Sequence, residues 1–280
     1  MSTGVAALPG GRALAWREYG DPAGRPLVYH HGGMSCALDA ACLHGPAGER
    51  GVRVLAVDRP GIGGSSRHRR YGVRDLAVDV GDLADHLDLD GVAVCGWSAG
   101  GPHALACAAV LGDRVSAVAT VGGPAPSDSG HLGLAVDRFL YPVSRRAPAL
   151  AALAVRVTSL APAGLKEAQT RRAVGCPADR AVLDDLAPGT LAGWLAGAQA
   201  QGPYGVLDDY AATGADWGPM LAAITVPVHV VHGTEDRLVP VRHARRLTAA
   251  IDTAELHLPD GEGHFLLHTR GAEVLALLGL

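Results

Sequence analysis

Six mostly apolar runs, each closed by Gly, Pro or Asp, restrict the possible folds of this chain more than any other feature of its sequence. They lie at residues 26–33, 52–61, 91–101, 115–124, 226–236 and 254–261. Most of them place apolar residues at consecutive positions, which is typical of strands in a parallel sheet with both faces buried. The runs therefore predict a parallel sheet rather than an antiparallel one.

Helical patterns separate several of these runs. They lie at residues 73–89, 101–112 and 241–251. In the first, apolar residues recur at steps of three and four while acidic residues take the opposite side. In the second, Pro102 stands in the first turn and Gly112 follows the last. Strands that alternate with helices predict an α/β fold with a doubly wound sheet.

The alternation stops between residues 125 and 215. This stretch contains seven prolines and helical patterns without clear strands, and the strand pattern returns at Val226. A chain of 280 residues with 48% hydrophobic content suffices for one large core with an insert. We therefore expect one core from residues 1–124 and 216–280, interrupted by a helical insertion at 125–215.

The third run ends in the sequence GWSAGG, which places a serine between glycines. Ligands of an open parallel sheet bind beyond the carboxyl ends of the strands, and Ser98 lies at such an end. A serine on a sharp turn between strand and helix needs small neighbours, and Gly96 and Gly100 meet that need. The N-terminus of the following helix would then offer N–H groups to a developing oxyanion.

A serine nucleophile needs a base, and the base needs an acid that orients it. Asp236 closes the fifth run, with Glu235 and Asp128 as rival acids. His264 lies in a glycine-rich loop after the sixth run. Its rivals are His257, inside a predicted strand, and His268, inside the following helix. Residues at the ends of separate strands can meet at one sheet edge without being near in sequence.

The chain resembles the α/β-hydrolase-fold serine hydrolases, esterase-like and with a helical cap. The resemblance rests on HGG at 31–33, DRPGIGGSS at 58–66, GWSAGG at 96–101, HGTEDRLVP at 232–240 and GEGHF at 261–265. These motifs keep their order over most of residues 13–124 and 217–270. The helical insertion stands where the family carries its cap.

The resemblance implies specific roles. Ser98 would be the nucleophile, His264 the general base and Asp236 the orienting acid. The N–H groups of Gly33 and Ala99 would form the oxyanion hole. The proline-glycine that follows HGG in related peptidases is replaced here by Met34 and Ser35, which disfavours a peptidase.

Substrate-binding side chains are expected mainly in the insertion. It supplies four aromatic candidates, Phe139, Tyr141, Trp194 and Tyr204, and the core adds Met34 and Trp97 next to the motifs. The expected reaction is cleavage of a carboxylic ester or related acyl bond through an acyl-enzyme. The alternatives are a non-hydrolytic lyase, cyclase or acyl-transfer reaction with the same triad, and a noncatalytic receptor on this fold.

Charge and composition exclude several kinds of partner. The formal net charge is −4, and the Lys and Arg residues are scattered, which disfavours nucleic acid. No uncharged apolar run is long enough for a membrane span, and the N-terminal sequence does not resemble a secretory leader. Five cysteines without a CxxC pair fit reduced thiols. We expect a cytoplasmic enzyme that acts on a small-molecule acyl substrate, and the pattern leaves its oligomeric state open.

Cofactor motifs are missing from the sequence. Thirteen histidines are dispersed without HExxH or a Cys/His cluster, so no metal site is expected. The sequence has neither a P-loop lysine motif nor GxGxxG, so neither a nucleotide nor a dinucleotide is expected.

Overall fold

The computed structural model describes residues 2–126 and 135–280, which form an eight-stranded sheet with helices on both faces. The strands are β1 (Thr3–Leu8), β2 (Arg12–Gly20), β3 (Arg25–His30), β4 (Val52–Val57), β5 (Val92–Trp97), β6 (Val115–Val121), β7 (Val228–Val231) and β8 (Ala254–His257). Their order in the sheet is β1-β2-β4-β3-β5-β6-β7-β8. From β4 onward in this order, neighbouring strands are parallel.

All six predicted runs form strands of the parallel part, so the predicted fold class is confirmed. Strands β1 and β2 were not predicted; β1 pairs with β2, and β2 pairs with β4, both in antiparallel fashion. β1 has only six residues and alternates between exposed and buried ones at the sheet edge, while β2 carries Arg12, Arg17 and Glu18. Neither strand is buried along its whole length like the central strands.

Eleven helices are described. They are α1 (His44–Glu49), α2 (Val73–His86), α3 (Gly101–Leu111), α4 (Ala135–Arg146), α5 (Pro148–Ser159), α6 (Ala163–Val174), α7 (Pro177–Asp185), α8 (Thr190–Ala198), α9 (Tyr204–Thr213), α10 (Arg242–Ala250) and α11 (Leu266–Leu277). Helices α2, α3 and α10 occupy the three predicted helical stretches. Among these described helices, none combines the length and apolar character needed to cross a bilayer.

Two hydrophobic cores fill the two faces of the sheet. On one face α2, α3 and α10 pack against alternate strand residues such as Val94. On the other face α1 and α11 pack against the intervening residues, such as Cys95. This alternation explains why every residue of β5 is buried and why the sequence run has no polar side.

Helices α4 to α9 all lie between β6 and β7, and we call residues 135–213 the helical segment. Part of this segment has a core of its own, in which α4 and α5 pack against α9 through Leu140, Val155 and Leu207. The predicted insertion at 125–215 falls at this place in the chain, and its exact boundaries remain a prediction.

Candidate active site

Ser98 lies on a sharp turn between β5 and α3. Its φ angle is 53°, in the left-handed region that a residue with a side chain rarely adopts. A Cβ atom on Gly96 would lie 2.3 Å from the carbonyl oxygen of Gly100, and one on Gly100 would lie 2.1 Å from that of His30. Both positions therefore exclude any larger residue, because strand, turn and helix approach each other too closely there.

Three predicted site residues form one hydrogen-bonded chain at the carboxyl ends of the strands. Nε2 of His264 lies 2.9 Å from Oγ of Ser98, and Nδ1 of His264 lies 2.8 Å from Oδ2 of Asp236. A carboxylate only accepts, so Nδ1 carries the proton and Nε2 is left to accept the Ser98 hydroxyl proton. This arrangement suits proton transfer from serine to imidazole.

The Asp236 carboxylate is held in its charged form. Its Oδ1 accepts the backbone N–H groups of Leu238 and Val239 at 2.8 and 2.9 Å. Burial by itself would raise the pKa of Asp236, but the electrostatic interaction with the His264 ring and hydrogen bonds from His232 and His264 outweigh burial and hold that pKa well below its usual value. A buried anion beside the imidazole stabilises the protonated form of His264.

The rival acids and bases do not join this chain in the part of the protein that is described. Glu235 is exposed. Nε2 of His257 contacts His229, on the neighbouring strand. His268 is part of α11, where its ring packs on Trp97. Asp128 lies outside the described residues.

The loop that follows β3 approaches the serine turn. A Cβ atom on Gly33 would lie 3.4 Å from Cβ of Ala99, so the two predicted oxyanion donors belong to neighbouring backbone segments. Met34 has a φ angle of 52° and packs against the core of the helical segment. Gly32 donates its N–H to Oδ2 of Asp39 at 2.9 Å, which fixes the loop from the core side.

A buried ion pair connects this loop to the helical segment. Nε and Nη2 of Arg59 each lie 2.8 Å from an oxygen of Asp209 in α9. The same guanidinium donates to the carbonyl oxygens of His31 and Gly32. Burial alone would raise the pKa of Asp209, but the charge of Arg59 and the contact with His103 hold it well below its usual value. The pair therefore holds the loop backbone from the side of the helices.

A second carboxylate of the helical segment holds the His264 loop. Asp179, in α7, accepts the backbone N–H of His264 at 2.9 Å and that of Phe265 at 2.7 Å. Burial raises the pKa of Asp179, while these two hydrogen bonds act in the opposite direction. Neither Asp179 nor Asp209 was predicted, because no motif surrounds them and only the folded chain brings them to these loops.

Trp97 and Trp194 are buried behind the imidazole. Nε1 of Trp97 donates to the carbonyl oxygen of His264 at 2.9 Å, and the centres of the two rings are 5.6 Å apart. Trp194 packs edge-on against Trp97, with ring centres 6.1 Å apart. These contacts position His264, and a role of either tryptophan in substrate binding remains a prediction.

The other aromatic candidates have different surroundings. Phe139 and Tyr204 are exposed, and the ring of Tyr204 lies 4.6 Å from the guanidinium carbon of Arg67. Tyr141 packs edge-on against Tyr210, with ring centres 5.0 Å apart. A Cβ atom on Gly33 would lie 3.6 Å from the hydroxyl of Tyr210, so this second tyrosine lies next to the predicted oxyanion hole.

Comparisons with known proteins agree with the fold. A family model described as alpha/beta hydrolase fold matches residues 25–270. The chain is 29% identical over 275 residues to a non-heme chloroperoxidase from Streptomyces lividans, covering 95% of this chain and 94% of that protein. It is 28% identical over 259 residues to a monoacylglycerol lipase from Mycolicibacterium smegmatis, covering 87% and 81%.

Two further matches differ in extent. A bromoperoxidase structure from Bacillus anthracis superimposes with a TM-score of 0.76 at 22% identity, covering 99% of this chain and 98% of that one. The dihydrolipoyllysine-residue acetyltransferase component of an acetoin cleaving system from Pseudomonas putida matches at 36% identity over 113 residues. This match covers 40% of this chain and only 30% of that protein.

The chain belongs to the alpha/beta hydrolase fold family. It is an enzyme of this family, as are the chloroperoxidase and the lipase that it matches over most of their length.

Proposed function

We propose that this protein is a serine hydrolase that cleaves carboxylic esters through an acyl-enzyme. The observation that carries the proposal is the hydrogen-bonded chain from Ser98 through His264 to Asp236, with steps of 2.9 and 2.8 Å. A serine on a left-handed turn that contacts a neutral imidazole nitrogen has the geometry of an activated nucleophile.

In the proposed reaction, Oγ of Ser98 attacks the ester carbonyl carbon while Nε2 of His264 takes its proton. The tetrahedral intermediate then collapses and expels the alcohol, which receives that proton from His264. Water adds to the acyl-enzyme by the same route, releases the carboxylic acid and restores Ser98. Asp236 stays ionised throughout and stabilises the imidazolium.

The N–H groups of Gly33 and Ala99 are proposed to hold the oxyanion. Donors fixed in advance contribute to the rate because they need no reorganisation when charge develops on the oxygen. Gly33 meets this condition, since the loop before it is held by Asp39 on one side and by Arg59 on the other.

The helical segment is proposed to act as the cap that selects the acyl substrate. Tyr210 and Met34 support this assignment, because both link the core of the segment to the loop that carries Gly33. Phe139 and Tyr204 are exposed on the segment and would meet substrate only at its outer surface. We further propose that the enzyme acts in the cytoplasm and needs no cofactor for this reaction.

The comparison with a chloroperoxidase favours hydrogen peroxide as a second acyl acceptor. The similarity to a non-heme chloroperoxidase covers 95% of this chain, and that name implies the use of peroxide and chloride. Hydrogen peroxide in place of water would release a peroxy acid from the same acyl-enzyme and restore Ser98. Peroxy acid formation from an ester in the presence of hydrogen peroxide tests this alternative.

Replacement of the serine tests the central proposal. Ser98→Ala should lower the kcat/KM for p-nitrophenyl esters by on the order of 10⁴-fold, because it removes the nucleophile from a turn that already accepts only compact residues. It should also abolish labelling by a fluorophosphonate probe. An ester panel of increasing acyl length would define the substrate class in the same assay.

Ser116→Ala is a matched control, since Ser116 is an exposed residue of the neighbouring strand β6. This variant should keep wild-type activity and labelling. A folded Ser98→Ala protein that still hydrolyses the best ester at the wild-type rate would refute the proposed nucleophile.

A further inference from the structure

Three metal-ligand side chains lie side by side on β7 and β8, at the edge of the sheet opposite β1. In the parallel pairing, His229 stands across from Glu255 and Val231 stands across from His257. Side chains alternate between the faces of a strand, so Glu255 and His257 share one face, and His229 lies on that same face. The potential ligand atoms of these three residues all lie within 4.8 Å of one another.

The distances fit the edges of a metal coordination shell. Nδ1 of His229 lies 3.2 Å from Nε2 of His257, and Oε2 of Glu255 lies 3.8 and 3.7 Å from these two nitrogens. Ligands at about 2.0–2.1 Å from a tetrahedral ion are separated by about 3.3 Å. The nitrogen pair already has this spacing. The carboxylate needs a shift of only a few tenths of an ångström, which its exposed side chain can make.

We propose that His229, Glu255 and His257 form a binding site for a divalent transition-metal ion of the zinc class. Two imidazoles and one carboxylate are a donor set that Zn²⁺ prefers, whereas Mg²⁺ and Ca²⁺ select oxygen ligands. The site lies outside the proposed catalytic chain, and the inference does not depend on the proposed function.

The two histidines already contact each other through the nitrogen atoms that would bind the ion. Nδ1 of His229 and Nε2 of His257 lie 3.2 Å apart, within hydrogen-bond distance. A metal ion binds the neutral imidazole, and it would replace this single contact with two ligand bonds.

Exposure leaves the remaining coordination positions to solvent. The side chains of His229 and His257 are 14% and 22% exposed, and that of Glu255 is 69% exposed. The two histidines are therefore held by the sheet while the carboxylate can close over the ion. Three protein ligands with an open position make an accessible site that exchanges metal with solution.

Bound metal would join the two strands that lead to Asp236 and His264. Asp236 is the fifth residue after Val231, the end of β7, and His264 is the seventh residue after His257, the end of β8. The strands are otherwise connected by backbone hydrogen bonds, including one from His232 N–H to the His257 carbonyl at 2.9 Å. An ion that binds only the folded chain stabilises it by mass action.

Calorimetric titration of tag-free protein with ZnCl₂ at pH 7.5 tests the proposal. We expect one ion per chain, no binding of MgCl₂ under the same conditions, and a higher melting temperature with Zn²⁺. His257→Ala and Glu255→Gln should each weaken Zn²⁺ binding at least tenfold and reduce the shift in melting temperature. His86→Ala, a change at an exposed histidine of α2, should leave both measurements unchanged.

Glu255→Gln keeps the proposal testable if His257→Ala does not fold, because Glu255 is exposed and the change preserves its size. Three results would overturn the proposal. They are the absence of saturable Zn²⁺ binding, equal affinity in wild type and Glu255→Gln, and a loss in His86→Ala as large as in Glu255→Gln.

Discussion

The sheet edge and the helical segment contribute to the candidate site in different ways. The edge supplies Ser98, His264 and Asp236 as side chains that contact one another directly. The helical segment supplies Asp179 and Asp209, which act on backbone groups of the loops: Asp179 accepts N–H groups next to His264, and Asp209 holds Arg59 against the loop that precedes Gly33. The first region contains the atoms proposed to react, and the second fixes the loops that carry those atoms and the proposed backbone donors.

The difference implies a ranking of mutational effects. Changes at the sheet edge should remove chemical steps, while changes at Asp179 and Asp209 should alter stability and geometry. A buried charge that loses its partner is costly, whereas a lost neutral hydrogen bond costs about 1 kcal/mol. The following predictions test that ranking, starting with the largest expected effect.

After loss of Ser98 itself, replacement of the proposed orienting acid should give the largest loss of activity. Asp236→Asn keeps the size of the side chain but removes the charge that stabilises the imidazolium, and it favours the wrong tautomer of His264. We expect kcat to fall by about 10²- to 10⁴-fold. Glu235→Gln, at the exposed neighbouring position, should change kcat by less than about twofold. If Glu235→Gln abolished activity while Asp236→Asn stayed almost as active as wild type, the orienting acid would be Glu235 instead of Asp236.

Loss of the ion pair between Asp209 in α9 and Arg59 should have the next largest effect, mainly on stability. Asp209→Asn leaves the Arg59 guanidinium buried without a counter-charge, so we expect unfolding free energy to fall by about 3 kcal/mol. Urea denaturation measures this change. Asp208→Asn, which breaks the partly exposed pair with Arg67, should cost less than about 1 kcal/mol.

The linkage between pH and stability has a definite sign at Asp209. Because the folded state holds the pKa of this carboxyl well below its usual value, its contribution is present above the usual carboxyl pKa and is lost as pH falls toward the folded value. The difference between wild type and Asp209→Asn should therefore shrink in acid. A difference that grows as pH falls from 6 to 3 would contradict the role assigned to this pair.

The contact between α7 and the His264 loop should have a smaller, catalytic effect. Asp179→Asn replaces one of two acceptors with an N–H donor that faces the backbone N–H of His264 or Phe265. We expect kcat to fall by about tenfold with little change in KM, which corresponds to about 1.4 kcal/mol. Asp185→Asn, at an exposed position of the same helix, is the matched control. A change in KM alone would show that Asp179 acts on substrate binding instead.

The fold and the positions of the residues proposed to react could be predicted because both depend on local patterns. Six buried runs mark six strands, and the turn at Ser98 requires Gly96 and Gly100, so its motif is visible in the chain itself. Strands β1 and β2 could not be predicted in the same way, because an antiparallel edge tolerates Ala, Gly and exposed positions. Asp236 and His264 could be expected near Ser98, because the carboxyl ends of parallel strands lie at the same edge of the sheet.

The supporting carboxylates could not be predicted, because their partners are backbone groups and side chains that are distant in sequence. Asp209 is 150 residues from Arg59, and its neighbour Asp208 has the same charge but a partly exposed partner. Nothing in the sequence distinguishes these two residues. The proposed metal ligands could not be predicted for a similar reason, since His229 and His257 are brought together only by the register of β7 and β8.

Asp39 allows the smallest and most specific test, because it is a buried carboxylate at the same loop as the Arg59–Asp209 pair but has no cation bound to it. Burial raises the pKa of Asp39 to about 7, while the hydrogen bond from Gly32 N–H acts in the opposite direction. The charged form is therefore costly in the folded state. This cost is absent below the ordinary carboxyl pKa of 3.8 and grows as pH rises toward about 7.

Asp39→Asn imitates the protonated acid and retains an oxygen that can accept from Gly32. The variant should gain stability relative to wild type by on the order of 1 kcal/mol between pH 5.5 and pH 8, as measured by urea denaturation at both values. Asp113→Asn, at an exposed carboxylate before β6, should show no such gain. If Asp39→Asn instead lost stability relative to wild type as pH rises, the charged form of Asp39 would be the stabilising one. The two buried carboxylates at this loop would then act alike, and the contrast between Asp39 in the core and Asp209 in the helical segment would fail.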